Sequence, residues 1–100
     1  MPLIDKAKFL EYHEVDRMVL PIGAKVVAPG TKPELAPGNF IKLKVDSEAA
    51  SEAFWAQFMK YKENDTVLCI VDNDLEFTQY HGLSFGEILE IPIKYILAYL

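Results

Sequence analysis

The sequence predicts one α+β domain in which an antiparallel sheet carries most of the chain and a short helix sits at the N-terminus. Three observations carry that prediction. The chain has 100 residues, enough for a single domain with one core. Residues 39–45, "NFIKLKV", alternate strictly, with Ile41, Leu43 and Val45 on one side and Lys42 and Lys44 on the other, the pattern of a half-buried antiparallel strand. The remaining strand-forming runs are short and lie between turn signals such as Pro29-Gly30, Pro37-Gly38 and Asn64-Asp65.

Taken in order, "LIDKAKFLEYHEVDRM" places Ile4, Ala7, Leu10 and Glu11 at near-helical spacing, and this is the expected N-terminal helix. Pro21 and Gly23 break it, and "AKVVAPG" follows as a short strand ending at Pro29-Gly30. Ala-Pro-Gly occurs at 28–30 and again at 36–38. Proline sets the dihedral of the second turn position and glycine admits the positive φ of the third, so each Pro-Gly predicts a type II turn. Residues 47–62 admit two readings. "SEAASEA" suits a helix with Ser47 as its cap, whereas "FWAQFMKY" alternates as a strand, with Phe54, Ala56 and Phe58 on one face and Trp55, Met59 and Tyr61 on the other. "KENDTVLCIVDND" reads as turn, strand, turn, with the reversal at Asn64-Asp65. A strand over Glu87 to Ile91 stops at Pro92, which cannot donate to a ladder, or else lies on an edge. The apolar tail "IKYILAYL" returns to the core.

The composition narrows the function classes. Apolar residues make up 51% of the chain and aromatic ones 12%, a globular rather than a disordered balance. Residues 1–50 carry seven basic and seven acidic groups, so the whole excess of five negative charges lies in residues 51–100. An acidic half repels phosphate backbones, and the single arginine gives little for reading bases, so no direct nucleic-acid binding is expected. The acids are also too sparse to imitate a phosphate ladder. No leader is expected in "MPLIDKAKFLEY", which has no run of seven apolar residues, and no membrane span is expected either. A lone cysteine, Cys69, cannot form an internal disulfide and fits a reducing, cytoplasmic setting.

Residues 54–96 resemble a family of short bacterial domains of unknown function. The likeness is carried by "FWAQF", the polar turn "KENDTV", "IVDND" and "HGLSFGEILEIPIKYI", with Trp55, Asn73, Gly86, Ile91, Pro92 and Ile96 as the matching positions. This chain has Ala56, Cys69 and Leu75 where the family often has valine, glycine and proline. The resemblance implies a strongly bent, barrel-like antiparallel sheet with little helix, and it turns residues 53–61 toward a strand. It implies no catalytic residue.

Candidate site residues cluster in "DNDLEFTQYHGLSFGE", residues 72–87. Asp72, Asn73 and Asp74 begin a calcium-loop pattern, but positions six and twelve are Phe77 and Leu83 instead of glycine and glutamate. A turn closed by side-chain hydrogen bonds is the simpler expectation, and no metal site is assigned. His81 lies near carboxylates and Ser84, yet no G-x-S-x-G nucleophile turn is present, and a histidine beside glycine is expected as a surface turn residue. Cys69, between strand formers, is expected to be buried and inert. His13, in the charged N-terminal stretch, has no evident partner. Trp55 follows Phe54, so one of the two must be less buried or be covered by another group; the 28–38 loop is a candidate cover, although a stiff surface loop is the simpler expectation for it. Phosphate-binding glycine loops are absent.

The expected function is a non-catalytic binding or interaction module with no cofactor. It would act through the acidic half and through Trp55, Asp72, Asp74, Tyr80 and His81, on a protein partner or a small ligand. A small acidic domain fits an accessory protein of a phage or mobile element that blocks a host factor or sequesters a ligand. A nucleotide ligand would need cations from the first half, such as Arg17, Lys25 or Lys32. The alternatives are a small hydrolase or metal-dependent enzyme using His81 with Asp72 or Asp74, and a self-assembling protein that forms a homodimer through an edge strand.

Overall fold

In the computed structural model, residues 8–15, 17–48 and 50–100 are described. They form seven strands: β1 (Lys8–Phe9), β2 (Lys25–Val26), β3 (Phe40–Asp46), β4 (Glu52–Lys62), β5 (Thr66–Val71), β6 (Ile88–Pro92) and β7 (Ala98–Tyr99). One helical turn, α1 (Thr78–His81), and two 3-10 turns, Tyr12–Glu14 and Ile93–Tyr95, complete the elements. Every pairing is antiparallel, in the order β2-β7-β3-β4-β5-β6, with β1 also beside β3.

The alternating stretch becomes β3, with Ile41, Leu43 and Val45 fully buried and the two lysines on the outer face. Residues 52–62 are strand rather than helix, as the resemblance implied. Ser47 caps no helix. Its hydroxyl donates to the Ala50 carbonyl and closes a turn before β4. Phe54, Ala56 and Phe58 face inward as expected, but the alternation does not run to the end of the strand. The register with β5 shifts between Phe58 and Lys60, so Met59 is an extra residue and the phase inverts beyond it. A β-bulge of this kind bends a strand and strengthens its twist. Tyr61, expected beside Trp55, instead pairs with Val67 and packs edge-on against Phe58 at 4.9 Å between ring centroids.

The inward residues of β3, β4, β5 and β6 form one core cluster with Phe9, Val27, Leu83, Ile93 and Ile96. The sheet curls around this core. The chain leaves β6 at one edge and enters β7 beside β3 through only five residues, 93–97, three of them in a 3-10 turn. A flat row would hold those strands about 19 Å apart, four spacings of about 4.8 Å. A 3-10 turn advances only about 2 Å per residue, so the link is short for a flat sheet. The curl stops short of closure: among the described residues no ladder joins β6 to β7 or to β2, so the barrel-like expectation holds only as a bent, open sheet.

The N-terminal helix is corrected over its described part. Lys8 and Phe9 pair with Asp46 and Val45, Leu10 donates to the Lys44 carbonyl, and only Tyr12–Glu14 turns, as a 3-10 segment. Burial of both Phe9 and Leu10 beside β3 outweighs the helical spacing. The parts of that expectation falling on residues 1–7 and on residue 16 lie outside the described residues.

Both Pro-Gly turns form. Thr31 donates to the Ala28 carbonyl and Asn39 to that of Ala36, with Gly30 and Gly38 at φ of 80° and 95°. The loop between them is tied to the sheet by Tyr61, whose hydroxyl donates to the Pro33 carbonyl and accepts from the Leu35 amide at 3.0 Å. It therefore packs over Tyr61 and not over Trp55. No described helix is long and apolar enough to cross a membrane.

Candidate functional site

Residues 72–87 form a structured connection between β5 and β6, organised around a buried polar cluster. The Glu52 carboxylate, at the start of β4, accepts from the amides of Glu76 (2.7 Å) and Phe77 (3.1 Å) just before α1. It also accepts from His81 Nε2 at 3.0 Å. Gly82, at φ 82°, ends the helical turn, and the Leu83 amide then donates back to His81 Nδ1 at 3.0 Å. Because Nδ1 accepts, Nε2 carries the ring proton and donates to Glu52. Burial raises the pKa of Glu52, but the bonds from His81, Glu76 and Phe77 together outweigh it and hold the carboxyl below its ordinary value.

His81 is thus not the surface turn residue expected from its glycine neighbour. It is 0% exposed and both ring nitrogens are occupied, which leaves no lone pair for general-base work and none for a metal. Asp72 and Asp74 are exposed, and neither is the partner of His81. The turn is closed by Asn73 instead: its side-chain carbonyl accepts from the Trp55 amide, while the Asp72 amide donates to the Trp55 carbonyl at 3.0 Å. Tyr80 is partly exposed, with its ring 6.4 Å from that of Phe77. Cys69 is buried in the core, and burial pushes its thiol up to about 12.

The outer face of the sheet presents a different arrangement. Phe54 fills the core and Trp55, half-buried, faces outward, where Lys42 covers its ring with the ammonium 4.8 Å from the centroid. Lys42 opposes Trp55 across the ladder and Lys44 opposes Ala53. Beside them, Arg17 joins Lys42 and Lys44 in lining a groove of about 260 Å³, whose apolar lining comes from Val15, Met18, Ala53 and Leu97 among others. Burial, and then the neighbouring Lys44, hold the Lys42 amine below its ordinary value. Among the described residues the ion pairs are Lys8–Glu14, Lys62–Glu90 and His81–Glu52, so none of the three groove cations is paired with a described carboxylate. Of the other cations considered for a nucleotide, Lys32 lies over Tyr61 and Lys25 is exposed on β2.

Sequence reasoning missed this groove because Arg17 lies 25 residues or more before Lys42 and Lys44 in the chain. The one available signal was that β3 puts both of its lysines on its polar face. Glu11, His13 and Glu14 also approach one another, with ligand atoms within 4.8 Å. Glu14 already accepts from the Glu11 amide at 2.9 Å and lies 3.8 Å from Lys8, so that trio is accounted for by the local turn. Comparison with protein-family models, with curated proteins and with solved structures gives no match for this chain.

Proposed function

We propose that this protein is a non-catalytic binding module whose binding surface is the outer face of the sheet around Lys42, Lys44, Arg17 and Trp55. The observation that carries this reading is the gathering of three cations, without a described carboxylate partner, on a chain whose net charge is −5. Two like charges side by side on β3 repel each other, and the partial burial of Lys42 removes some of its hydration. An opposite charge brought by a ligand or partner relieves both effects. Trp55 adds an amphipathic aromatic surface of the kind that anchors ligands and interfaces. The reading places the site on cations from the first half of the chain rather than on the acidic half alone. The resemblance of residues 54–96 to short bacterial domains fits a module of this size and assigns no role to any residue. Sequestration of a ligand or blocking of a host factor by a phage or mobile-element protein is the setting we attach to it.

The test is native mass spectrometry of protein taken from its expression host without stripping, wild type beside Lys42→Glu. Bound mass on the wild type that is lost from the variant, with thermal stability retained, is the expected result. Bound mass that survives the substitution would place the binding surface elsewhere.

A second reading has one observation behind it. β6 ends the strand order and carries the partly exposed Ile88, with Phe85 exposed just before it, so a second copy could extend the sheet there. A molecular mass that stays monomeric at high protein concentration removes this reading.

A further inference from the structure

Resting on the binding reading above, we infer that the groove takes a nucleoside monophosphate, with the phosphate among Arg17, Lys42 and Lys44 and the base toward Trp55. The charge supports a compact dianion. A phosphate monoester carries close to two negative charges at neutral pH and three strong acceptor oxygens. Arg17 offers a planar fork that matches two of those oxygens, and the lysines act as point charges. The groove, about 260 Å³, lies just below the range of about 300–1,000 Å³ typical of drug-sized sites. It therefore suits a phosphate with a sugar-sized body and leaves the base outside.

The ladder decides where the base goes. Ala53 lines the groove, and Trp55 is the next outward residue along β4, half-buried with the Lys42 ammonium over its ring. When Lys42 turns to the phosphate it uncovers the Trp55 ring, and a base can stack there in its place. The surroundings argue against a longer polyanion. Just beyond β5 the Asp72 amide donates to the Trp55 carbonyl, and Asp74 and Glu76 follow, all three exposed, so a nucleic-acid strand running on past Trp55 would meet carboxylates.

Trp55 is the only tryptophan in the chain, so its emission reports on this position alone. The experiment titrates the protein with AMP, GMP, adenosine, inorganic phosphate and a short single-stranded oligonucleotide, following Trp55 emission and, in parallel, heat by calorimetry. Saturable binding of AMP or GMP is expected, at least tenfold weaker in Lys44→Gln and in Arg17→Gln, with adenosine and phosphate each much weaker than the intact nucleotide. Phosphate binding as tightly as AMP would overturn the inference by removing the base. Adenosine binding equally well would overturn it by removing the cations, and preference for the oligonucleotide would overturn it in favour of a polyanion. Silence with every probe by both methods also overturns the ligand class. In that case the binding reading itself still stands or falls on whether Lys42→Glu strips a bound mass from host-purified protein.

Discussion

Two polar clusters lie on this small sheet and are handled in opposite ways. Around Glu52 and His81 each charge or donor is answered: three donors converge on one carboxylate, and the remaining ring nitrogen accepts a backbone amide. No buried side-chain polar atom among the described residues lacks a partner. Around Lys42 the cations repel each other and have no described carboxylate within bonding distance. The first cluster holds a connection in place, and losing it should weaken the fold. The second is tied to the fold by the contact of Lys42 with the Trp55 ring and by no ion pair with a described carboxylate, which is the pattern of surface kept for something outside the molecule. Histidine with acids nearby was the more site-like of the two in the sequence, yet it is the structural one.

The largest effect that separates the clusters is expected from Glu52→Ala. Three donors, one of them on the fully buried His81, lose their acceptor, and leaving such groups unpaired costs about 3 kcal/mol in total. For a domain of this size that lowers the melting temperature by roughly 12 °C or more. A loss below about 1 kcal/mol by denaturant titration would show that the cluster is not holding the connection.

The same cluster should set the acid limit of stability. The folded Glu52 carboxyl titrates below its ordinary value of 4.5, so the unfolded chain takes up its proton first as pH falls. Its contribution is therefore whole above pH 4.5 and is lost as pH drops through the lower folded value. Glu52→Gln, which cannot titrate, should flatten that limb of the stability profile, and an unchanged limb would assign acid sensitivity to other carboxylates.

A smaller effect is expected from Tyr61→Phe, which keeps the ring on Phe58 but removes the hydroxyl between Pro33 and Leu35. The loss should be about 1 kcal/mol. It should be accompanied by faster amide exchange at Leu35, and leave Trp55 emission untouched, because that loop does not cover the outer face.

The parts of the fold legible in the sequence are those set by neighbours along the chain. β3 shows in its alternation, the two Pro-Gly turns in their dipeptides, the reversal at Asn64-Asp65 in residues that tolerate the left-handed backbone they adopt, and the end of β6 in Pro92. What stayed hidden depends on partners far away in sequence. Lys8–Phe9 is a strand because β3 lies alongside, and Tyr61 turns inward because a single extra residue, Met59, inverts the phase of β4. The same holds for the candidate site. The Phe54-Trp55 pair showed that one of the two had to be less buried or covered, and only the structure shows that it is Trp55. The approach of Glu52 to His81, 29 residues later, and of Arg17 to Lys42 and Lys44 leaves no local trace.

The measurement that tests the contrast most directly is thermal unfolding of Lys44→Gln at neutral pH. If the groove cations are held for a partner rather than for the fold, removing one member of the repelling pair should leave the melting temperature unchanged or raise it. A fall of more than about 5 °C, equivalent to roughly 1 kcal/mol in a domain of this size, would make Lys44 a structural residue like Glu52. It would also remove the reason for assigning the outer face to binding.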